Sequence, residues 1–528
     1  MADGGDWSSD ANDAFKISII QPGPETLKTL STFHPTFTYP IFGDEERIFG
    51  YKNLNIHLRF AAHDLYPNVH VSYDEKFKPV GDTKADELLK ILKDWMPSYA
   101  FSKLSSFKTH LQEDQDASSF HPPGEHIDSY HSRGRSFEIW RAELTDPAVQ
   151  LLLERMQILI SLFIEAGTPL ELHDQEWTLA RWRVFFVYEK LPQRPTPTGS
   201  IYSIVGYSTS YRFLTYQPSS KSPQPISKTF EPSPISVASL PCRARISQFL
   251  ILAPHQKHSH GEHLYNAMIS TFIADPAVLE ITVEDPSEAF DDLRDYCDYA
   301  KLYENGDLAS LKFHTDIDPR MTSRGSGVKV PSSKLLDKKH LDSIRLKNKL
   351  APRQFSRLLE MYLLSNIPYH VRESGTVRLT QRGKASSLDD RAYYYWRLLV
   401  KQRIYKKNKD VLIHLERAEK IDKVEETLGQ QQGDYERLLK GIEERRQRVE
   451  DDRLNGEVEG MSSTSSAERR AKRKVVDLES EDEDQDVGGG VRLNGSGASD
   501  MGGAEDRGAK RRKEGEGVGP GVTDITSD

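Results

Sequence analysis

The sequence contains few cysteines and no long apolar run. Only Cys242 and Cys297 occur in 528 residues, which favours a reducing compartment and argues against a disulfide scaffold or a cysteine-rich zinc site. No apolar run approaches the length of a membrane span, and the polar first residues lack the apolar segment of a signal peptide. We therefore expect a soluble intracellular protein, with no membrane association and no metal centre.

Aromatic residues are missing from the end of the chain. None occurs from Arg453 onward, where glycine and serine are frequent. Residues 451–528 contain 12 Lys/Arg and 19 Asp/Glu, so much of the net charge of −9 lies there. Such a segment cannot bury enough apolar area to offset chain entropy. We predict that residues 453–528 are disordered, and also residues 1–14.

The remaining chain has the composition of a folded protein. Hydrophobic residues make up 37% of the whole sequence, which is enough for a buried core, and the length suggests several structural units. The patterns predict an α+β protein with a mixed α/β amino-terminal domain at 15–136, a central domain at 137–320 and a helical domain at 333–452. A proline- and serine-rich connector and a glycine-containing linker are expected at 217–241 and 322–333.

The most informative stretch is a strand, loop, helix and strand in the central domain. Ile246–Leu252 and Val278–Val283 are short apolar runs with β propensity. Between them lie the polar loop HQKHSHG and a segment with apolar residues at helical spacing. Those apolar residues are Leu264, Met268 and Phe272.

This unit predicts an anion-binding loop. The N–H groups of the loop and of the first helical turn point outward together, at the positive end of the helix dipole, so the loop can hold a phosphate. Glu284 and Asp285 follow the second strand, and they would lie at the same edge of the sheet.

The arrangement resembles the core motif of the GNAT acetyltransferase superfamily, whose pyrophosphate loop reads Q/R-x-x-G-x-G/A. Here the loop is Gln256–Gly261, with Ser259 in place of the first glycine. The sequences RISQFLILAP, HGEHLYNAM, EITVEDPSEAFDDLRD and, upstream, FTYPIFGDEERIFGYKNLNIHLRF resemble the catalytic subunit of type B histone acetyltransferases. The resemblance covers about 18–312, continues weakly to about Leu415, and implies a GNAT fold with a mixed β-sheet for the central domain.

The resemblance implies acetyl-CoA as the cofactor. Its pantetheine arm would lie along the first strand and its diphosphate on the loop, where Lys257, His258 and His260 could contribute positive charge. The residues that the resemblance implies in cofactor binding are Phe249, Leu250, Ile251, Gln256, Lys257, His258, Ser259, His260, Gly261, Glu262 and Ser287.

Three carboxylates are the candidate catalytic groups. Acetyl transfer to a lysine needs a base that removes the ammonium proton, and clustered carboxylates raise one another's pKa. Glu284 is the first candidate, with Asp285 and Glu165 as neighbours. Without the resemblance, Glu284 and Asp285 would be a strand-terminating turn in which Asp285 caps the next helix, and Glu165 would be a solvated residue at a helix end.

The resemblance also implies a binding surface for a basic peptide. The acidic turn Asp44, Glu45 and Glu46 would contact the basic tail of a histone, although composition alone indicates a solvated turn. The groove residues implied by the resemblance are Trp177, Tyr211, Arg212 and Phe213, which would otherwise be core or rim residues.

Periodicity predicts the elements around this site. Residues 137–166 have helical spacing, whereas 176–191 and 200–214 indicate two paired strands. Residues 333–447 are helical in pattern. The basic segment Lys401–Lys409 either contacts nucleic acid or is a solvated helix face.

We therefore expect a type B histone acetyltransferase that acts on the amino-terminal tail of newly made histone H4, with its H3 partner, before chromatin assembly. The alternatives are an acetyltransferase for another amine and a histone-binding scaffold that turns over little acetyl-CoA. The resemblance implies a WD-repeat β-propeller partner that carries histones, and no direct binding to nucleic acid.

The charged tail suggests a cellular location. Arg469–Lys474 and Lys510–Lys513 are typical of nuclear-import signals, although such clusters also arise by chance in charged tails. The acidic run Asp477–Asp486 could engage basic histones or be simply solvated. We expect the protein in both cytoplasm and nucleus.

Overall fold

The structure, a computed structural model, describes residues 7–216, 236–314, 335–373 and 387–466. The predicted linker at 322–333, most of the connector at 217–241 and the basic and acidic clusters of the tail lie outside these ranges. Among the described residues, no helix is both long and apolar enough to cross a membrane.

The amino-terminal region combines a four-stranded sheet with two strand pairs and short helices. The sheet has the order β3-β2-β6-β7, with β2 and β6 parallel, while β1 pairs with β4 and β5 with β8. The strands are β1 (Ser8–Asp10), β2 (Phe15–Gln21), β3 (Lys28–Phe33), β4 (Arg47–Phe49), β5 (Tyr51–Lys52), β6 (Asn55–Ala61), β7 (Pro67–Ser72) and β8 (Glu75–Lys76). The helices are α1 (Ala11–Ala14), α2 (Tyr39–Phe42), α3 (Leu88–Lys93) and α4 (Leu104–Glu113).

The prediction that residues 1–14 are disordered was wrong for residues 8–14, which form β1 and α1. Asp10 caps α1, because its carboxylate accepts a hydrogen bond from the Asn12 N–H at 2.9 Å. Ala11 is fully buried. The segment is therefore ordered by tertiary contacts that its polar composition does not reveal.

A six-stranded sheet forms the centre of the structure. Its order is β14-β13-β12-β11-β10-β9, and all neighbours are antiparallel except β13 and β14. The strands are β9 (Glu125–Ser132), β10 (Arg135–Glu143), β11 (Trp182–Lys190), β12 (Tyr202–Leu214), β13 (Cys242–Ile251) and β14 (Val278–Val283). The helices in this part are α5 (Pro147–Met156), α6 (Ile158–Phe163), α7 (Glu176–Leu179), α8 (His260–Ala274) and α9 (Glu288–Glu304).

Several predicted elements of this sheet are confirmed. The paired strands expected within 176–191 and 200–214 are β11 and β12, and Val278–Val283 is β14. The helix between β13 and β14 buries Leu264, Met268 and Phe272 against the sheet. The α+β class and the strand, loop, helix and strand unit of a GNAT fold are therefore present.

The prediction of a helix from residue 137 was wrong at its start. Residues up to Glu143 continue β10, and the helices begin only at Pro147. Phe137 and Trp140 are three positions apart, which fits a helix, but Phe137 and Ile139, two positions apart, are buried on one face of the strand. The predicted domain boundary at 136/137 therefore lies inside the β9–β10 hairpin.

The carboxy-terminal region is helical. Its helices are α10 (Lys338–Lys347), α11 (Pro352–Ser365), α12 (Tyr369–Glu373), α13 (Leu388–Lys407), α14 (Lys409–Leu412) and α15 (Arg417–Ser466). Pro352 occupies the first turn of α11 as predicted, and the apolar face of α11 is buried against α9, α13 and α15. Because α15 continues to Ser466, disorder is not observed for 453–466. Residues 467–528 lie outside the described chain.

Candidate active site

The parallel strands β13 and β14 stop pairing at the candidate active site. The last paired residues of β13 and β14 are Ile246 and Val283, and the Glu284 N–H donates to the Ile246 carbonyl at 2.9 Å. Beyond this point β13 continues to Ile251 while β14 ends. Among the described residues, no strand pairs with this side of Phe249–Ile251, and the Ile251 carbonyl accepts a hydrogen bond from Gln256 Nε2 at 3.0 Å. The rest of this backbone edge is available to an extended ligand.

The loop after β13 has the backbone of an anion-binding turn. Lys257 and Ser259 have φ values of 61° and 64°, in the left-handed region that favours glycine. Ser259 precedes α8 but its side chain makes no capping hydrogen bond. The first N–H of this turn that donates back to the loop is that of His263, to the Ser259 carbonyl at 3.1 Å. The earlier N–H groups of α8 can therefore bind an anion.

Gly261 keeps the space beside this loop open. A Cβ at this position would lie 3.5–3.9 Å from Leu293, Phe249 and Ile251. These are ordinary contact distances, so the protein alone does not demand glycine here. The loop, the free strand edge and this space are consistent with a diphosphate and an attached chain.

His260 does not contribute positive charge to the loop, contrary to the prediction. Its ring is 1% exposed and its Nδ1 lies 2.7 Å from the Tyr130 hydroxyl. Burial, reinforced by the neighbouring histidines His255 and His258, lowers the pKa of His260 to about 4. The ring is therefore neutral at pH 7 and packs as a core residue. Gln256 and Lys257 are exposed.

Two other predicted cofactor residues use their side chains within the protein. Glu262 pairs with Arg445 of α15 at 2.9 Å. The Ser287 hydroxyl accepts from the Phe290 N–H at 3.3 Å and caps α9. The cap that we assigned to Asp285 is therefore Ser287.

The three candidate catalytic carboxylates line one cleft of about 550 Å³. Glu284 and Asp285 follow β14, whereas Glu165 belongs to the loop after α6. Sequence analysis missed two further carboxylates in the same cleft, Glu171 and Asp174. Five acidic side chains in one cleft favour a cationic substrate.

Glu284 is held by two donors from β13. Its Oε1 accepts from the Arg245 guanidinium at 2.8 Å and its Oε2 accepts from the Ser247 hydroxyl at 2.7 Å. The side chain remains 39% exposed. The carboxylate is thus oriented by the strand that carries the free edge and is still reachable from the cleft.

A buried glutamine connects the opposite wall of the cleft to the sheet. Gln248 is 3% exposed, and its Nε2 donates to the Thr168 carbonyl at 2.9 Å. Its Oε1 accepts from the hydroxyls of Tyr207 and Thr209, each at 3.4 Å. In the sequence, Ser247 and Gln248 interrupt the apolar run RISQFLI, and such an interruption indicates that polar side chains have a role there.

The predicted groove residues have different environments. Tyr211 lines the cleft, 4.8 Å from the ring of Trp182 and 4.4 Å from the Arg181 guanidinium. Trp177 and Phe213 are 53% and 45% exposed. All three aromatic side chains are accessible to a peptide.

Arg212 is not accessible to a peptide, contrary to the prediction. It is 3% exposed, and its guanidinium donates to Asp275 at 2.9 Å and to the Ala238 carbonyl at 2.5 Å. Its neighbours in the chain alternate across β12, so Arg212 points away from the surface that Tyr211 and Phe213 share. Its role is structural.

The acidic turn also contains both a structural residue and exposed residues. Glu46 accepts from the N–H groups of Thr38 and Tyr39 at 2.5 and 3.1 Å and stabilises the start of α2, so it is a structural residue. Asp44 and Glu45 are exposed. Helix α2 also contacts the cleft loop, because the Tyr39 hydroxyl accepts from the Ala166 N–H at 3.0 Å.

In the described part of the chain, no group of three or more His, Cys, Asp or Glu side chains could hold a metal ion.

Comparison with known proteins identifies the family. Residues 7–165 match the model of the histone acetyl transferase HAT1 N-terminus, and residues 314–367 match that of the fungal HAT1 C-terminal region. The histone acetyltransferase type B catalytic subunit of Aspergillus oryzae is 47% identical over 90% of this chain and 96% of its own. The chain belongs to the family of histone acetyltransferase type B catalytic subunits.

Other relatives agree with this assignment. The type B catalytic subunit of Aspergillus fumigatus is 46% identical over 91% of this chain and 87% of its own, and that of Neurospora crassa is 36% identical over 91% and 96%. The prediction that the protein is a histone acetyltransferase is confirmed. As a member of this family, it transfers acetyl groups to histones.

Two solved structures also show some similarity. They are an aminoglycoside acetyltransferase from an uncultured soil metagenomic sample, in complex with trehalose and with sisomicin. Each covers 32% of this chain and 86% of its own, with 16% identity and a TM-score of 0.17. That score is too low to support a conclusion.

Proposed function

We propose that this histone acetyltransferase transfers the acetyl group of acetyl-CoA directly to lysines in the amino-terminal tail of newly synthesised free histone H4, with Glu284 as general base. The observation that carries this proposal is the cleft in which Glu284, Asp285 and Glu165 meet beside the free edge of β13.

The substrate amine has to lose a proton before it can attack. A free lysine has a pKa of about 10.4, so only roughly one in a thousand or fewer is uncharged at pH 7. The cleft carboxylates attract the ammonium group, and Glu284 removes its proton directly or through one water. Arg245 and Ser247 keep the carboxylate aimed at the cleft while it does so.

The cofactor would be held by the backbone more than by side chains. Acetyl-CoA supplies an activated acetyl thioester. The edge of Phe249–Ile251 would bind the pantetheine arm, and one of its N–H groups would stabilise the developing negative charge on the carbonyl oxygen. The N–H groups at the start of α8 would bind the diphosphate.

Recognition of a histone tail follows from charge. Asp44 and Glu45 are exposed near α2, and Glu171 and Asp174 line the cleft. A tail rich in lysine and arginine complements this surface. The aromatic rings of Trp177, Tyr211 and Phe213 can pack against the methylene groups of its lysine and arginine side chains.

The preference for the histone H4 tail is tested by turnover of acetyl-CoA with two amines. An H4 tail peptide should react faster than a small amine such as spermidine, because only the peptide reaches the acidic turn and the exposed aromatic side chains. Equal turnover of the two amines would exclude recognition of the tail.

We also propose that the enzyme acts before chromatin assembly, with histone H3 bound to H4 and with a WD-repeat β-propeller subunit as partner. The histone name of the family supports a histone substrate. We propose that the protein occurs in both cytoplasm and nucleus, on the strength of its two basic clusters. Nuclear accumulation of the full chain should fall when both clusters are changed to alanine, and unchanged accumulation would exclude them as import signals.

The cofactor loop is tested by calorimetric titration with acetyl-CoA. Ser259→Glu places a bulky carboxylate where the diphosphate would lie, so binding should weaken at least about 100-fold through repulsion and steric clash. Ser270→Glu is the matched control, because it makes the same change at an exposed position of the same helix. Equal binding by both variants would move the cofactor away from this loop.

A further inference from the structure

A basic groove lies in the helical region, on elements that the proposed reaction does not use. It has a volume of about 660 Å³ and runs between the first half of α11 and the end of α13. We define it by Arg353 and Leu359 of α11 and by Leu399, Arg403, Lys406 and Lys407 of α13.

Only part of the positive charge on α13 is neutralised. Lys401 forms an ion pair with Glu425. Arg403 makes two hydrogen bonds to the buried carboxylate of Glu360, at 2.7 and 2.8 Å. These two residues of the predicted basic segment are therefore structural.

Three cations of the groove have no such partner. Arg353, Lys406 and Lys407 are exposed, and none forms an ion pair with a residue in the described part of the chain. Arg353 and Lys407 come from different helices, so tertiary packing has brought like charges together.

Repulsion within this cluster affects Lys407. The positive charge of Arg353 lowers the pKa of Lys407, burial is the next cause, and the carboxylate of Asp291 offsets part of the effect. Like charges held together in this way disfavour the empty groove, and a bound anion would relieve the repulsion.

The groove also has apolar surface. Leu359 and Leu399 line it together with Pro352. Near the groove in the chain, Tyr405, Val411 and Ile413 are 48%, 70% and 59% exposed. Exposed apolar side chains beside a charged patch are typical of a protein-binding surface.

These properties favour a peptide over a nucleic acid. Single-stranded nucleic acid is bound by stacking successive bases on aromatic side chains. The residues that line the groove include no aromatic side chain, and Tyr405 beside it is a single exposed ring. An extended chain with alternating acidic and apolar residues would place carboxylates on the cations and aliphatic groups on the two leucines.

We propose that this basic groove binds an acidic, leucine-containing segment of a partner protein. The surface is opposite in charge to the catalytic cleft, which attracts the basic substrate. The enzyme would thus hold an acidic partner and a basic histone at two separate places.

The probe is a fluorescein-labelled twelve-residue peptide of repeating Asp-Leu-Glu, titrated with the full chain and followed by fluorescence anisotropy. Binding should be measurable at low salt and weaken as ionic strength rises. Arg353→Glu/Lys407→Glu should weaken it at least about tenfold. The matched control is Lys338→Glu/Lys339→Glu, which makes the same charge change at exposed lysines of α10 and should bind as the parent does.

Four results would overturn the proposal. The first is equal loss of peptide binding in the two double variants. The second is an unlabelled single-stranded oligonucleotide that binds more tightly than the peptide and is lost with Arg353→Glu/Lys407→Glu. The third is weaker acetyl-CoA binding in that variant at unchanged thermal stability, because the groove would then serve the cofactor.

The fourth result concerns the acidic run of the chain itself. Glu481→Gln, Asp482→Asn, Glu483→Gln and Asp484→Asn, made together in the full chain, neutralise part of that run. The partner proposal requires that the peptide binds this variant and the parent equally. Tighter binding to the variant would identify the chain's own tail as the occupant.

Discussion

The cleft and the helical region both contain arginine–carboxylate pairs, but the helical region buries two of its carboxylates whereas the cleft keeps its pair exposed. In the Arg245–Glu284 pair the two side chains are 35% and 39% exposed. In the Arg357–Asp295 pair the aspartate is fully buried, and in the Arg403–Glu360 pair the glutamate side chain is 2% exposed. The comparison shows that the same chemical pair serves two purposes.

Access for substrate accounts for the difference. A carboxylate that takes a proton from a lysine has to remain reachable, and Glu284 has kept that access although both its oxygens accept hydrogen bonds. Asp295 and Glu360 have all their acceptors directed at neighbouring helices: Gln354 also donates to Asp295 and the Tyr435 hydroxyl to Glu360. Those pairs organise the packing of α9, α11, α13 and α15.

The largest effect should come from breaking a buried pair. Asp295→Ala leaves the Arg357 guanidinium without its partner inside the helical region, which costs about 3–5 kcal/mol. Urea unfolding of the variant measures this loss. Acetyl-CoA binding at low temperature should persist, because the cleft does not involve this pair. A loss below about 1 kcal/mol would mean that solvent reaches the buried pair as easily as the cleft.

Removing the cleft carboxylate should act on catalysis and not on stability. Glu284→Gln keeps the shape but loses the base, so kcat should fall about 100-fold or more with little change in acetyl-CoA affinity. Steady-state kinetics with an H4 tail peptide measures the effect, with Glu288→Gln, at an exposed position in the first turn of α9, as control. An unchanged pH–rate profile in Glu284→Gln would reassign the base to Glu165 or Asp285.

Two buried titratable groups, His260 and Asp298, make the stability of the folded protein depend on pH. The folded pKa of His260 is lowered to about 4 by burial, so its contribution to stability is lost as pH falls from 6.5 towards 4. Burial raises the folded pKa of Asp298 to about 6, partly offset by Arg294, so stability falls as pH rises from 4 to 6. Each effect amounts to about 3 kcal/mol at most.

The two effects have opposite signs and can be separated. Relative to the parent, thermal stability between pH 4 and 6 should fall more as pH rises in His260→Gln and fall more as pH falls in Asp298→Asn, since each variant keeps one of two opposing contributions. The parent protein is the reference at each pH. The same pH dependence in all three proteins would show that neither group titrates as its burial implies.

The smallest effect should come from relieving backbone strain in the loop before α8. Ser259 has a left-handed conformation, which costs a non-glycine residue about 1–2 kcal/mol. Ser259→Gly removes this cost but gains chain entropy in the unfolded state, so stability should rise by less than about 1 kcal/mol. Calorimetry with acetyl-CoA should show equal or tighter binding. Weaker binding would assign the Ser259 hydroxyl a direct contact with the diphosphate.

Local patterns predicted the elements of the site well. The apolar runs of β13 and β14 and the helical spacing of α8 are short-range signals, and the residues they pointed to are buried as expected. The same signals failed at residues 137–143, where Phe137 and Trp140 have helical spacing while Phe137 and Ile139 have strand spacing. Only the neighbouring strands β9 and β11 make that segment a strand.

The roles of single polar residues were predicted less well. Glu46, Arg212, His260 and Ser287 all match positions of apparent function, yet each side chain has a partner within the protein. Two of these partners, Asp275 for Arg212 and Tyr130 for His260, are distant in sequence, and no local pattern indicates them. Glu171 and Asp174 were missed for the converse reason, because a loop residue shows its proximity to the site only after folding.

The sequence by itself determined the family, the strand, loop, helix and strand unit and the position of the carboxylates after β14, because these depend on neighbouring residues in the chain. The tertiary structure decided which charged groups face solvent and which are buried. Glu165 and Glu284 line one cleft because α6 and β14 reach the same edge of the sheet, and Arg353 and Lys407 share a groove because α11 packs against α13. Burial and distance, which set the strength of every such interaction, exist only in the folded chain.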